Sequence, residues 1–588
     1  MRTTKIPLAI AGVSALALSA LVVPAASAEA PAPAAAAPVA SAAAKGPKVK
    51  WDWTMPTFMK DKKTWIRDDD PNSANYIQGG YFVPGPDGIP DKEMNPVPGY
   101  DAPGNAMYGK IPDNGKFKVK LDASKSTGKG KLKCTWRIQA DSVVNRKNKN
   151  CSKKVSVKLP EGKFPLTLTV RDKKGKTIVD SKIVVKNSLI AVMGDSYGSG
   201  EGFPPFTEAN TAAKGGARMI DWDQQGCHRS RWSGFVRSAQ TVENADKRSN
   251  VTLIDVACSG AEVSKGDINI SGKPRKAGGI LYPQDQIPTP TGQENGYVPA
   301  QVDQLRAING SDPYDTVLMS IGGNDVGFGP ISEACLIEGQ NKNCYSEVPY
   351  WDDLKRPLYQ SVDYLLDKLV DRYKRMAPCL SGEGGAKKCK TFKLENGVPA
   401  ASKSKSKRVV LNKSKDMVQA SYPDLTSTTN ASGDIIPCNA KTFQSPMNEI
   451  SNSWGWGVVY NGKTGEPYTL PTSYSPPLPT PNPASITPTA PGLLNQFRDQ
   501  KKLYGFNKAM SITQESRGHG LCAGPQAWVN GIASSELATS PANPDGAEHP
   551  NDRGQLAYAQ MLGPKAEKLN GVPVNRPSST VRSDGGLG

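Results

Sequence analysis

The sequence predicts an α/β protein, a parallel sheet covered by helices, preceded by a small all-β sandwich. Four short apolar runs, at 189–193, 251–257, 316–321 and 417–420, alternate with helical patterns. That is how a parallel sheet buried on both faces reads. Ahead of them, between 117 and 185, five runs of alternating apolar and polar residues are divided by Gly and Lys turns, as short antiparallel strands are. The chain has 588 residues, more than one domain needs, so two globular units with linkers fit its length.

Residues 1–28 read as a signal peptide. Arg2 and Lys5 supply positive charge, an apolar run follows, and Ala26-Ser27-Ala28 is a small-residue cleavage site. An uncleaved anchor is the alternative, because the run approaches the length that spans a bilayer. Residues 29–50 form an Ala/Pro-rich linker with too few large apolar groups to fold. Residues 51–114 mix Pro, Gly, Asp and aromatic residues without periodicity, which predicts an irregular segment. The sandwich occupies 115–187, with strands expected at 117–121, 134–138, 155–159, 166–170 and 178–185. The second unit runs over 188–570, interrupted by a Lys/Ser-rich insertion at 386–415 and a Pro/Thr/Ser-rich one at 466–491, both expected as surface loops. One helix is explicit: Leu358, Val362, Leu365, Leu366, Leu369 and Val370 recur at helical spacing behind Pro357. Residues 571–588 are expected to be a flexible tail.

Hydrophobic residues make up 37% and charged residues 22%, which excludes a membrane bundle and a coiled coil. Ten cysteines in an exported chain, none spaced Cys-x-x-Cys, predict five disulfides and no zinc or redox centre. Proximity in sequence suggests Cys134 with Cys151, Cys227 with Cys258, Cys335 with Cys344, Cys379 with Cys389, and Cys438 with Cys522. The formal net charge is +18, with Lys and Arg spread along the chain and a local run at Lys403, Lys405, Lys407 and Arg408. Such a chain is drawn to anionic surfaces, a phospholipid membrane or cell-wall polymer. A solvated surface without a partner explains the charge as well, since it falls on no single recognisable element. No nucleic-acid partner and no oligomer are expected.

The chemistry gathers at strand ends. The run 189–193 leads into Gly194-Asp195-Ser196-Tyr197-Gly198-Ser199-Gly200-Glu201-Gly202, which can hold a serine out at the sheet edge where open α/β sheets place ligands. The string also matches Gly-x-Ser-x-Gly, but that elbow follows several strand-helix units, whereas here a sandwich precedes it. By itself the cluster reads more readily as a glycine-rich turn than as a catalytic site. Two further strand ends strengthen the chemical reading. After 251–256 comes Ala257-Cys258-Ser259-Gly260-Ala261, where Gly260 lets a backbone N–H approach a substrate; after 316–320 comes Ile321-Gly322-Gly323-Asn324-Asp325, which offers an amide. Singly these are a turn and an Asx-capped helix start. Together they supply two donors for an oxyanion beside Ser196.

The chain has three histidines from which to draw a base. His228 and His519 lie beside arginines, which disfavour an imidazolium. His549, in Asp545-Gly546-Ala547-Glu548-His549-Pro550-Asn551-Asp552, has carboxylates nearby and is the best candidate. Pro550 predicts an extended His549, and Asp552 can cap a helix over about 553–569.

Gly194-Asp195-Ser196, Gly260, Gly322-Gly323-Asn324-Asp325 and His549-Pro550-Asn551 resemble, in order, the four blocks of the SGNH (GDSL-type) hydrolase family, and Cys227-His228-Arg229-Ser230 and the stretch 518–522 resemble secreted actinobacterial members. The resemblance implies a flavodoxin-like three-layer α/β/α fold and a secreted ester hydrolase acting on an ester or lipid without a metal or other cofactor. It further implies Ser196 as nucleophile, the N–H groups of Ser196 and Gly260 and the Asn324 side chain as oxyanion donors, and His549 as base. The family's acid, three residues before the histidine, is here Gly546. Either Asp545 reaches the imidazole through a shifted loop or the Gly546 carbonyl orients it, and the carbonyl is preferred. Glu548, adjacent to His549 in an extended segment, is expected to point away. The stretches 121–126 and 164–172 resemble polycystic-kidney-disease-like repeats, which are immunoglobulin-like. Two other readings compete: a cell-surface or glycan-binding protein with an inert hydrolase fold, and an enzyme for carbohydrate acetyl esters.

Overall fold

The computed structural model describes residues 46–55 and 116–204, interrupted stretches between 218 and 438, most of 492–572, and a few short strands elsewhere. The expected signal peptide, nearly all of the linker, the 466–491 insertion, Cys335 and Asp545 lie outside the described residues.

Strand β1 (Asp52–Thr54) comes from the segment expected to be irregular, as does β2 (Ala106–Tyr108). Then follow β3 (Lys116–Asp122), β4 (Lys133–Gln139), β5 (Val143–Asn150), β6 (Val155–Pro160), β7 (Gly162–Arg171) and a 19-residue strand, β8 (Lys176–Gly194). One antiparallel sheet has the order β1-β3-β6; in a second, β5-β4-β7 continues onto the first half of β8. The alternation seen in the sequence is an inside-outside alternation: Phe117, Val119 and Leu121 point in while Lys116, Lys118 and Lys120 point out. The inward residues of both sheets, among them Trp53, Trp136 and Leu168, form one hydrophobic cluster. β5 was not expected; its Asn, Arg and Lys residues carry no apolar alternation, and it is held by pairing with β4 at the sheet's edge.

β8 passes from this part of the chain into the next without a break. Its first half pairs antiparallel with β7, and its second half pairs parallel with β9 (Ser249–Asp255) and β10 (Thr316–Ser320). Beyond β10 lie β11 (Met417–Ala420) and β12 (Asn507–Ala509), both parallel. Counting β8 as first, the parallel order is 2-1-3-4-5, and β2 closes the outer edge of β9 antiparallel. The result is a mixed α/β architecture around a mixed central sheet. Residues 190–193 are completely buried, which explains why this strand reads as continuous hydrophobic sequence. The expected flexible tail also departs from expectation, because β13 (Thr580–Arg582) pairs with Ile178, Val179 and Asp180 of β8.

Helix α1 (Gly234–Ala245) packs on α5 (Asp552–Asn570) so closely that the Gly234 N–H donates to Gln555 Oε1 at 2.7 Å. Helix α2 (Gln301–Asn309) precedes β10. Helix α3 (Leu358–Ser381) buries the stripe read from the sequence except Val370, which is half-buried, and is joined to α4 (Leu493–Tyr504) by Gln496 Nε2 donating to the Leu366 carbonyl at 2.8 Å. Disulfides Cys134–Cys151, Cys227–Cys258, Cys379–Cys389 and Cys438–Cys522 are formed, as suits an oxidising compartment. No helix among the described residues is long and apolar enough to cross a membrane.

Candidate active site

Ser196 sits where β8 ends at the carboxyl edge of the sheet. Gly194 has φ +123°, and a Cβ there would lie 1.9 Å from the Ser320 carbonyl oxygen, so only glycine lets the strand turn against β10. The Gln301 side chain brackets the same peptide, accepting from the Gly194 N–H and donating to its carbonyl, both at 2.8 Å. Asp195 then caps a single helical turn, Ser196–Ser199, by accepting from the Tyr197 N–H at 3.1 Å. Ser196, as the first residue of that turn, has a backbone N–H without an intrahelical acceptor. The Asp195 carboxyl also accepts from Ser320 Oγ at 2.7 Å and from the Tyr422 hydroxyl, and burial pushes it up to about 7.

The candidate base, His549, has its Nε2 2.6 Å from Ser196 Oγ. Its Nδ1 lies 2.8 Å from the carbonyl oxygen of Ala547. A carbonyl can only accept, so Nδ1 carries the proton and the Nε2 lone pair faces the serine. The orienting carbonyl is therefore that of Ala547, not of Gly546. Gly546 instead accepts from the His549 N–H at 3.3 Å and from Asn530 Nδ2 at 3.2 Å. The difference arises at Glu548, which has φ +64° rather than an extended conformation and so folds the preceding peptide back beneath the ring. Glu548 is buried with Ser332 Oγ donating to its carboxylate, and burial raises its carboxyl to about 7. Its carbonyl accepts from the Tyr197 hydroxyl at 2.9 Å, which links the two loops directly.

The imidazole is held between rings, with Tyr197 and Phe328 centroids at 5.1 and 5.8 Å. Residues 528–530 run beside the histidine loop: the Asn530 N–H donates to the His549 carbonyl at 2.9 Å, and the Asn551 N–H donates to the Trp528 carbonyl at 3.0 Å. Asn551, not Asp552, caps α5, its Oδ1 accepting from the N–H groups of Arg553 and Gly554. Asp552 is one residue too late and forms the first turn.

The two proposed donors come together with each other. Gly260 has φ +77°, and the next residue's carbonyl accepts from Asn324 Nδ2 at 3.0 Å. Asp325 anchors that loop, accepting from the Val263 N–H at 3.0 Å and from Arg372 Nη1 at 2.6 Å, with Glu262 also beside the Arg372 guanidinium at 3.3 Å. Two links tie this assembly to the Ser196 turn. The Tyr422 hydroxyl accepts from the Gly323 N–H at 2.8 Å while donating to Asp195. The Cys227–Cys258 bridge and the Cys258 N–H, which donates to the Gly194 carbonyl at 3.0 Å, fix the Gly260 turn beside β8.

One pair escaped sequence reasoning. Glu201 is fully buried and both its oxygens lie 2.9 Å from His228 Nδ1, the ring of which stacks on Trp222 at 4.7 Å. Burial works to raise the Glu201 carboxyl, but His228, His549 and Ser259 together outweigh it and hold the group below the ordinary range. Its N–H donates to the Ser196 carbonyl at 3.1 Å, which joins Glu201 to the Ser196 turn. Of the two arginines that counted against His228, Arg229 and Arg231, the first is engaged elsewhere: Arg229 Nε donates to the Ala257 carbonyl at 2.7 Å. His519 is engaged elsewhere, with Nδ1 on the Gln526 carbonyl and its ring stacked on Trp528. Among the described residues no cluster of His, Cys, Asp and Glu could hold a metal ion.

No protein-family model matches the chain, and no curated protein matches it. Among solved structures it is similar to a phospholipase A1 from Streptomyces albidoflavus NA297, with 14% identity over 64% of this chain and 99% of that one and a TM-score of 0.30. It is also similar to a carbohydrate acetylesterase from Xanthomonas citri, with 10% identity over 77% of this chain and 71% of that one and a TM-score of 0.22. Likenesses of this size carry no conclusion about what the chain does.

Proposed function

We propose that the protein is a secreted serine ester hydrolase of the SGNH type, working through Ser196 and His549 by way of an acyl-enzyme. The observation that carries this reading is the 2.6 Å approach of His549 Nε2 to Ser196 Oγ, two residues 353 apart in sequence, with Nδ1 tied to a carbonyl so that the facing nitrogen is basic. The 2-1-3-4-5 strand order, which is that of flavodoxin-like sheets, supports it by putting Ser196 at the strand-order reversal where such sheets bind ligands.

In this reading His549 takes the Ser196 proton as Oγ attacks the ester carbonyl, and the alcohol leaves with that proton. The oxyanion is received by the N–H groups of Ser196 and Gly260 and by Asn324. A water, deprotonated by the same imidazole, then releases the acid and restores the serine. The Ala547 carbonyl fixes the ring's tautomer, and the Glu201 carboxylate favours the imidazolium that each half-reaction forms. The serine-histidine contact favours a working enzyme over an inert binding protein. The test is Ser196→Ala: hydrolysis of a short p-nitrophenyl ester falls by about 10⁶, as for other serine nucleophiles, with the fold intact. Unchanged hydrolysis by that variant overturns the proposal.

A further inference from the structure

The positive charge is not spread evenly. Residues 115–187 hold 21 Lys and Arg against 5 Asp and Glu, a net of +16 out of the chain's +18. The fold gathers these groups further. Lys133 of β4 lies opposite Arg171 of β7, which lies opposite Lys176 of β8, so three cations cross three adjacent strands in one row. On the other sheet Lys118 faces Lys158. Like charges directly opposite each other destabilise a sheet, so the fold bears a repulsion that a polyanion would relieve. Two turns add to the row at the same end: Lys129 and Lys131 in one, Lys173 and Lys174 in the other, joined by the Lys173 N–H donating to the Lys129 carbonyl at 3.3 Å. The acid among them, Asp172, accepts from the backbone N–H groups of Lys129, Lys174 and Gly175 at 2.9, 2.7 and 2.9 Å. Its carboxylate shapes the turn.

We propose that this end of the sandwich is a docking surface for an anionic polymer with repeated phosphate groups, engaged by Lys129, Lys131, Lys133, Arg171, Lys173 and Lys174. Three features select that partner. The cations of 115–187 are 18 Lys to 3 Arg, and Lys binds phosphate as a point charge on a flexible stem, which suits groups spaced along a chain rather than one planar bidentate anion. The described part of the sandwich exposes one large hydrophobic residue, Val143, where a lipid-inserting surface would present several. The row also starts β8 and Ser196 follows its end, so 19 strand residues at about 3.3 Å each put the docking end on the order of 60 Å of chain from the nucleophile. Docking there tethers the site at a distance from the anchor, which suits a polymer and not a bilayer whose lipids were to enter the site. The distance to Ser196 rests on the hydrolase reading; the charge, the strand register and the binding test do not.

The experiment measures binding of the full exported chain to immobilised polyphosphate across a salt series. One variant replaces Lys129, Lys131, Lys173 and Lys174 by Gln; a second replaces Lys403, Lys405, Lys407 and Arg408 by Gln, removing the same charge elsewhere. The first should bind at least about tenfold more weakly near physiological salt, and its log-affinity against log-salt slope should fall by about three, as for four lost phosphate contacts on a single strand. The second should stay within about twofold of the parent. Hydrolysis of a short soluble ester, or the melting temperature if the chain proves inactive, should be unchanged in both. Equal weakening of the two variants, meaning net charge alone, overturns the proposal. So does parent binding to phosphatidylglycerol vesicles but not to polyphosphate, or to duplex DNA more tightly than to polyphosphate.

Discussion

Glu548→Gln separates the structural account of the histidine loop from the obvious alternative that this carboxylate serves as the triad acid. The Glu548 carboxyl is raised by burial from 4.5 to about 7, while in the unfolded chain it returns to the ordinary value. The folded state thus binds the proton more tightly than the unfolded state, so stability is full below about pH 4.5 and falls as pH rises through about 7. At 1.36 kcal/mol per pH unit the ionised group costs the native state about 3 kcal/mol, most of it incurred between pH 5 and pH 8. Gln copies the neutral carboxyl in shape and can still accept from Ser332. The variant should unfold in urea within about 1 kcal/mol of the parent at pH 5 and be more stable by about 3 kcal/mol at pH 8. Its ester hydrolysis should be close to parental, because Nδ1 of His549 is held by Ala547. An equal stability change at both pH values, or a loss of turnover near the 10⁴ scale of a triad aspartate, would refute the reasoning.

Other substitutions probe the remaining roles. Asp545→Asn should leave kcat/KM within about threefold, since a carbonyl already occupies Nδ1; a loss of about 10⁴ would restore an aspartate as third member. Asn324→Ala should lower kcat by about 10²–10³ with little change in KM, the signature of a donor used in the transition state. A rise in KM alone would make it a binding residue. Glu201→Gln removes the negative charge that favours the imidazolium, so the acid limb of the kcat/KM profile should move to lower pH; a limb that stays in place rules out electrostatic help from Glu201.

Much of this was legible in the sequence because burial and turn chemistry leave local marks. Alternating strands over 117–185 and continuous apolar runs at 189–193 and 316–320 correspond to strands in the structure, since inward and outward faces must differ and doubly buried strands must not. Ser196 and His549 could be paired by motif and elimination. What stayed hidden depends on backbone dihedrals or on pairing across long separations. Nothing local marks Glu548 for a positive φ, and that single angle moves the orienting acceptor from Gly546 to Ala547. Asn551 and Asp552 are both good caps, and only the turn geometry chooses between them. β5 lacks an apolar face, so an edge strand made of Asn, Arg and Lys reads as a loop. The +16 of residues 115–187 is countable in the sequence, but only strand register sets Lys133, Arg171 and Lys176 side by side.

The central claim, that Ser196 is activated by His549 for covalent attack, is tested most directly by intact-mass analysis after reaction with a fluorophosphonate, followed by peptide mapping. One adduct should form, on Ser196, slowed strongly in His549→Ala and absent in Ser196→Ala. Absence of any adduct on the parent chain, or one that persists in Ser196→Ala, would contradict it.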